Sequence, residues 1–166
     1  MTFNTGDPVV HWTYGFGHVV GKEERVIAGR KTLYYAILTR ELTVWVPVDS
    51  LLDTRLRPPT SLDGFKNLFA ILTGKGEPLP ENRQERKVML LERLKDGRAA
   101  SLCQVLRNLA TYQQAHALNE VDMGLMKRSR ESLLGEWCHA FSITAVEAEA
   151  ELQRMLEAGY PGRSKR

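Results

Sequence analysis

The sequence contains little cysteine. Only two of its 166 residues are cysteines, Cys103 and Cys138, and neither lies in a Cys-x-x-Cys pair or in a Cys/His spacing typical of a metal site. This scarcity excludes a disulfide-stabilised scaffold and a zinc-ribbon type of fold. Both cysteines lie in apolar stretches with helical spacing, so we expect them to be small core residues with reduced thiols.

Long hydrophobic runs are also missing. No stretch reaches the roughly 18 consecutive apolar residues that a membrane-spanning helix needs. The first five residues have neither the basic nor the apolar segment of a signal peptide. With 43% hydrophobic and 26% charged residues, the composition is that of a globular protein. We therefore expect a cytoplasmic protein without a membrane partner. We also expect a monomer, although a lone edge strand would permit swapped dimers.

The familiar signatures of catalysis are absent. Gly74 and Gly76 are too close together, and too far from a predicted strand, to form a phosphate-binding loop. The four histidines show no His-x-x-x-His spacing, and no serine lies in a nucleophile elbow. The sequence therefore predicts a protein that is not an enzyme and that holds no cofactor or metal.

Charge is unevenly distributed along the chain, although the formal net charge is only +3. The segment 83–130 contains ten Lys and Arg residues against five acids, whereas 131–157 contains six acids and one arginine. A basic middle followed by an acidic end indicates a polar surface with a charged face. Such a face suits a binding function.

The first fifty residues have the pattern of a small β domain. The stretch GDPVVHWTYGFGHVVG places two apolar pairs on either side of an aromatic turn bounded by glycines. Strands are predicted over 9–13, 16–24, 31–39 and 42–48, with turns at 28–29 and 40–41. Short antiparallel strands in so few residues must curl to bury one face, which predicts a small Tudor/SH3-like antiparallel β-barrel.

The aromatic turn itself allows two interpretations. Trp12, Tyr14 and Phe16 could form a cage for a methylated cation, or they could cover one end of the barrel or its junction with the helices. No acidic partner for a cation accompanies them, so the covering role is favoured. The valines at 9, 10, 19 and 20 are predicted to be core.

The remainder of the chain has helical periodicity. Pro58-Pro59 interrupts both strands and helices, so two domains are predicted, residues 1–57 and residues 58–166. The second is an all-α five-helix domain, which makes the fold class α+β. Ser61 and Thr144 are predicted helix caps, Asn119 with Asp122 resembles a capping pair, and one apolar stripe per helix predicts a single core. The predicted helices span 62–73, about 83–95, about 102–112, 125–141 and about 145–158.

Seven short motifs, taken in order, resemble the CarD/CdnL family of bacterial transcription regulators. The resemblance extends over nearly the whole chain, and the order and spacing of the motifs are more specific than any single one. Those of the β domain are F-x-x-G-D-x-V-V-H from Phe3, Y-G-x-G-x-V from Tyr14 and L-T-V-W-V-P from Leu42. Those of the helical domain are P-L-P from Pro78, L-x-D-G from Leu94, V-L-R-N-L from Val105 and R-x-S-L-L-G-E from Arg130.

The resemblance implies a protein that docks on the RNA polymerase β subunit through its Tudor-like domain. It also implies that the helical domain contacts promoter DNA and modulates the stability of the open complex, without catalysis or a metal. The protein would then be nucleoid-associated through the polymerase. The polymerase-binding residues implied are Arg25, Ile27, Thr43, Val44, Trp45, Val46 and Pro47.

The DNA-binding half departs from its relatives. Where they carry a tryptophan that wedges into the minor groove, this chain has Arg83, and His116 and Met123 stand where relatives can carry Arg or Lys. The DNA-binding residues implied are Arg83, Arg86, Lys87, His116, Arg128 and Arg130. DNA contact is therefore expected to be weak and mostly to the backbone. The alternative is a polymerase-bound adaptor whose helical domain binds another protein.

Overall fold

A computed structural model describes residues 2–40 and 42–159 of the chain. Its contacts divide the chain into two compact units, Met1–Pro59 and Thr60–Arg166. The first unit is an antiparallel sheet and the second consists of helices. The predicted fold class, a Tudor-like β domain followed by five helices, is confirmed.

The first unit is one five-stranded antiparallel sheet in the order β4-β3-β2-β1-β5. Its core consists of side chains from every strand together with Phe3 and Leu52, and the Phe3 N–H donates a hydrogen bond to the buried Tyr35 hydroxyl over 3.1 Å. Among the described residues, β4 pairs only with β3, so it is an edge strand. The strands are β1 Pro8–His11, β2 Gly15–Ile27, β3 Arg30–Thr39, β4 Thr43–Pro47 and β5 Leu56–Arg57.

The second strand is longer than its sequence pattern predicts. It continues to Ile27 and pairs with β3 down to Arg30, across a turn in which Ala28 and Gly29 both have positive φ. Positive φ at both central residues is the geometry of a type I′ hairpin turn. Beyond residue 24 this two-stranded ribbon exposes both faces, so it lacks the apolar alternation by which strands are detected.

One predicted core residue, Val20, lies at a bulge in β2 and is not part of the core. The pairing with β3 shifts between Val19 and Gly21, which leaves Val20 as the extra residue of the bulge. Val19 is buried as expected, whereas Val20 is 48% exposed. The prediction that all four valines of the opening stretch are core is therefore wrong for Val20, because successive side chains of a strand point to opposite faces and Val19 already faces the core.

Over the described residues the second unit contains five helices, and three of them begin at the predicted caps. The Ser61 and Thr144 hydroxyls accept hydrogen bonds from the N–H groups of Gly64 and Glu147. Asn119 and Asp122 form a complete capping box, in which each side chain accepts from the backbone N–H of the other. The helices are α1 Leu62–Thr73, α2 Arg83–Leu94, α3 Ala99–Gln113, α4 Glu120–Phe141 and α5 Ala145–Ala158.

In the part of the helical unit that the structure describes, there are two apolar clusters where one was predicted. The larger joins α1, α3, α4 and α5 around Phe65, Leu106 and Trp137. The smaller contains Leu90 of α2 and Leu109 of α3. The division arises because α3 is buried on most of its circumference, so that successive residues of the V-L-R-N-L motif face different clusters. The single-core prediction was therefore wrong.

Arg107, in the middle of that motif, is completely buried. Its Nη1 donates to the carbonyl of Leu72 over 2.7 Å and to that of Leu156 over 2.9 Å. These carbonyls lie in the last turns of α1 and α5, where helix dipoles are negative, so they compensate the buried charge. The neighbouring Asn108 accepts a hydrogen bond from the Glu77 N–H over 2.8 Å. The motif therefore has a structural role.

Within the described ranges, no helix has the length and apolar character that crossing a membrane requires. Over the same ranges, no three His, Cys, Asp or Glu side chains form a group that could hold a metal ion.

Candidate functional site

The outer face of the sheet brings together most of the predicted polymerase-binding residues. Antiparallel pairing places Tyr34 opposite Pro47 and Ala36 opposite Trp45. Because side chains alternate along a strand, Thr43, Trp45 and Pro47 share this outer face. Glu23 of β2 pairs with Tyr34, so it lies on the outer face. Arg25 and Ile27 follow it at intervals of two residues and therefore lie on the same face.

The centre of this face is a contact between an arginine and a tryptophan. The Arg25 guanidinium lies over the Trp45 ring, 4.3 Å from its centroid, and 5.9 Å from that of Tyr34. Trp45 is 39% exposed, and Arg25 forms an exposed ion pair with Glu23 at 3.5 Å. The cation–π contact holds the guanidinium in one position while it stays accessible to solvent. We name Arg25, Tyr34 and Trp45 the Arg–Trp patch.

Two of the predicted contact residues point the other way. Val46 is buried in the core of the β unit, and Val44 packs against that core. Their side chains are thus directed into the sheet's own core, and what they offer a partner is their main chain. An edge strand presents N–H and C=O groups away from its neighbour at alternate residues, and these groups can pair with another strand.

The aromatic turn of the opening stretch is organised around His11. The His11 Nδ1 accepts hydrogen bonds from the N–H groups of Thr13 and Tyr14, over 3.0 and 3.2 Å. Burial, assisted by the charge of Arg55, lowers the pKa of His11. The Tyr14 ring packs on His11 with 5.1 Å between centroids. The turn is therefore shaped by a neutral histidine.

In the helical unit, the structure corrects the assignment of Arg86 to the DNA-binding surface. The side chain is buried and forms a bidentate ion pair with Asp122, with 2.9 Å from Nε to Oδ1 and 2.8 Å from Nη2 to Oδ2. Its Nη1 donates to the carbonyls of Pro80 and Glu81 and to the Tyr112 hydroxyl. The hydrogen bonds to Asp122 raise the pKa of Arg86. No phosphate can reach a guanidinium so enclosed.

The other predicted DNA-binding cations differ in accessibility. Arg83 is the first residue of α2, and it is exposed, as are Lys87 one turn later and Arg128 on α4. Arg130 is half-buried, and its Nη1 lies 3.5 Å from a Glu149 carboxylate oxygen on α5. Its charge is therefore already partly compensated, which weakens it as a phosphate contact.

His116 lies in the connection between α3 and α4. Its ring stacks on Tyr112 with 4.4 Å between centroids and 11° between planes. Its Nε2 lies 3.3 Å from a Glu81 carboxylate oxygen, which places it near the start of α2. The family resemblance implied that His116 is a DNA-binding residue, at a position where relatives can carry Arg or Lys, and gave no indication of this stack. The spacing of four residues from Tyr112, at the end of a predicted helix, was the available signal.

The chain matches two family models. One, described as the CarD-like/TRCF RID domain, matches residues 3–59, and the other, described as the CarD C-terminal domain, matches residues 67–153. A curated relative from Bacillus subtilis (strain 168) is named "Putative transcription factor YdeB". It is 26% identical over 137 residues, which cover 81% of this chain and 89% of the relative.

Proposed function

The chain belongs to the CarD-like family of transcription regulators, and from this premise we propose that it docks on the β subunit of RNA polymerase and modulates promoter open complexes. The docking surface is the β4 edge together with the Arg–Trp patch. The helical unit contacts promoter DNA weakly, mostly through the backbone. The observation that carries the proposal is the preformed contact of Arg25 with Trp45 beside an edge strand.

The β unit supports docking by strand addition. A strand of the β subunit that pairs with β4 would gain main-chain hydrogen bonds, and the side chains on the outer face would give specificity. Trp45 offers an aromatic anchor, and Arg25 offers a donor for a carboxylate or carbonyl. Since the guanidinium is already held on the ring, less side-chain entropy is lost on binding.

The helical unit supports only a modest DNA contact. Three of the six predicted residues, Arg83, Lys87 and Arg128, are exposed cations. For each phosphate that a cation neutralises, the slope of log K against log salt concentration becomes more negative by about 0.9. With three such cations we expect a slope no steeper than about −3. Such binding is independent of sequence and adds to the affinity that polymerase docking supplies.

Docking is tested by the binding of the full chain to the isolated β lobe. We expect Arg25→Glu and Trp45→Ala each to weaken binding at least tenfold, because each removes one partner of the cation–π contact in the Arg–Trp patch. Lys31→Glu is the matched control, since Lys31 is an exposed charge on the same hairpin and pairs with Val26, on the opposite face from the patch. If the wild-type protein does not bind the lobe at micromolar concentrations, the docking proposal is refuted.

Modulation of the open complex is tested separately, by the lifetime of promoter complexes after competitor is added. We expect the lifetime to change in the presence of the protein and to return to its unassisted value with Trp45→Ala. An unchanged lifetime despite measured docking would remove the regulatory half of the proposal.

A second candidate function is that of an adaptor bound to polymerase. The observation in its favour is an exposed apolar stretch on α2, where Val88 is 55% and Met89 39% exposed, next to the acidic residues Glu85 and Glu92. Such a face suits a protein partner better than DNA. A Met89→Glu variant that loses the effect on promoters, with unchanged DNA affinity, would favour the adaptor.

A further inference from the structure

The connection between α3 and α4 carries a stack of flat side chains whose middle member, Tyr112, packs against the smaller apolar cluster. The ring of His116 lies parallel to that of Tyr112, and the Arg86 guanidinium packs on Tyr112 as well, 4.7 Å from its centroid. Arg86 is buried, Tyr112 half-buried and His116 exposed. The stack therefore leads from the interior to the surface and ends in an open aromatic ring.

This outermost ring is held in place. The backbone N–H of His116 donates to the backbone carbonyl of Tyr112 over 3.0 Å. The Tyr112 hydroxyl accepts a hydrogen bond from the Arg86 guanidinium over 3.1 Å. The ion pair of Arg86 with Asp122 fixes the base of the stack. Yet 40% of the His116 side chain is accessible to solvent. An oriented and accessible ring binds a flat ligand with little loss of conformational entropy.

The surroundings of the ring contain charges of both signs. His116 contacts Glu81, the residue before the N-cap of α2, and precedes Asn119, the N-cap of α4, by three residues. The start of α2, with its positive partial charge, therefore lies beside the ring, and Arg83 adds an exposed cation at its first residue, against the acids Glu81 and Glu85. An aromatic side chain of a protein partner would gain nothing from these charges, whereas a nucleotide has both a flat base and a phosphate.

We propose that His116 is a stacking platform for an unpaired DNA base. Bases stack on histidine as on other aromatic side chains, but only when they are released from the duplex. This inference rests on the proposed function, since unpaired bases exist where a promoter is open. The Glu81 carboxylate opposes the phosphate and keeps the affinity modest.

The test compares binding of the full chain to a forked DNA and to a duplex of the same sequence, in the absence of polymerase. A 2-aminopurine at the first unpaired position reports stacking by fluorescence quenching. We expect His116→Ala to lower affinity for the fork about tenfold and to abolish the quenching, since stacking of one base has about that value. Affinity for the duplex should change less than twofold.

Two further variants identify the physical origin of the effect. His116→Phe keeps a flat ring and should retain both the preference for the fork and the quenching. Glu81→Gln removes the opposing charge and should raise affinity for both DNAs about threefold at low salt. His139→Ala is the matched control, because it removes an exposed histidine elsewhere in the same unit.

The inference is overturned if the wild-type protein binds fork and duplex equally, or if His116→Ala keeps the preference. It is also overturned if His116→Phe is as defective as His116→Ala. Failure of this inference and failure of docking are distinguishable: a preference for the fork without β-lobe binding refutes docking alone. Binding to the lobe without a preference for the fork refutes the stacking platform alone.

Discussion

Removal of the Arg86 charge is expected to destabilise the helical unit strongly. In the folded protein the Arg86 side chain is 3% and that of Asp122 2% exposed. Arg86→Met keeps an unbranched side chain but leaves the Asp122 carboxylate buried without the guanidinium. The Asn119 N–H still donates to this carboxylate over 3.1 Å. Breaking one partner of a buried ion pair costs about 3–5 kcal/mol in the free energy of unfolding.

The same helix provides a matched control. Arg93 lies seven residues further along α2 and forms an ion pair with Glu77 at 3.3 Å, but here the two side chains are 40% and 54% exposed. An exposed pair contributes no more than about 1 kcal/mol. Arg93→Met should therefore lower the free energy of unfolding by at least about 2 kcal/mol less than Arg86→Met does. Both substitutions remove the arginine of an arginine–carboxylate ion pair.

The assay is urea unfolding of the full chain, followed by circular dichroism at 222 nm, which reports mainly on the helices. A double variant, Arg86→Met with Asp122→Leu, should recover part of the loss because no charge stays buried. Recovery will be incomplete, since Asp122 also caps α4. Equal and small losses for Arg86→Met and Arg93→Met would refute the reasoning from burial.

Three further outcomes follow from individual residues. Gly76→Ala should lower the free energy of unfolding by roughly 1–3 kcal/mol, because the added Cβ would lie within 2.4 Å of the Thr111 hydroxyl; Gly124→Ala, with no atom near its new Cβ, should not lower it. Because the pKa of His11 is lower in the folded protein than in the unfolded chain, where it is about 6.5, the neutral His11 stabilises the β unit at pH values above about 6.5. This contribution is lost as the pH falls through the folded-state pKa. Unfolding followed by tryptophan fluorescence should show that the free energy of unfolding declines from pH 8 to pH 5. The decline should be smaller in the His11→Asn variant. Burial raises the pKa of the Cys138 thiol, so its alkylation by iodoacetamide should require more alkaline pH than that of a free thiol.

Local signals predicted the helices well. The first helix has the predicted bounds, and Ser61 and Thr144 accept the predicted capping hydrogen bonds. Caps act within one helical turn, so both partners are visible in a short segment of sequence. The start of α4 was predicted five residues late, although its capping pair was identified, because the first turn of that helix has little apolar periodicity.

The candidate site depended on contacts between distant residues. Arg86 and Arg130 have the same local context as the exposed cations around them, and only the fold shows that their partners are Asp122 and Glu149. Likewise, only the antiparallel pairing of three strands places Arg25 over Trp45. Composition and spacing identified the charged segment, but they could not distinguish structural cations from accessible ones.

The buried Arg107 also constrains the order in which the helical unit can form. Its guanidinium joins the last turn of α1 to the last turn of α5, two elements at opposite ends of that unit's sequence. A nascent chain that lacks α5 would have to bury this charge without the Leu156 carbonyl. Such long-range closure raises contact order and slows folding. The helical unit should therefore complete its folding only after α5 has left the ribosome, whereas the β unit, which is synthesised first, can fold ahead of it.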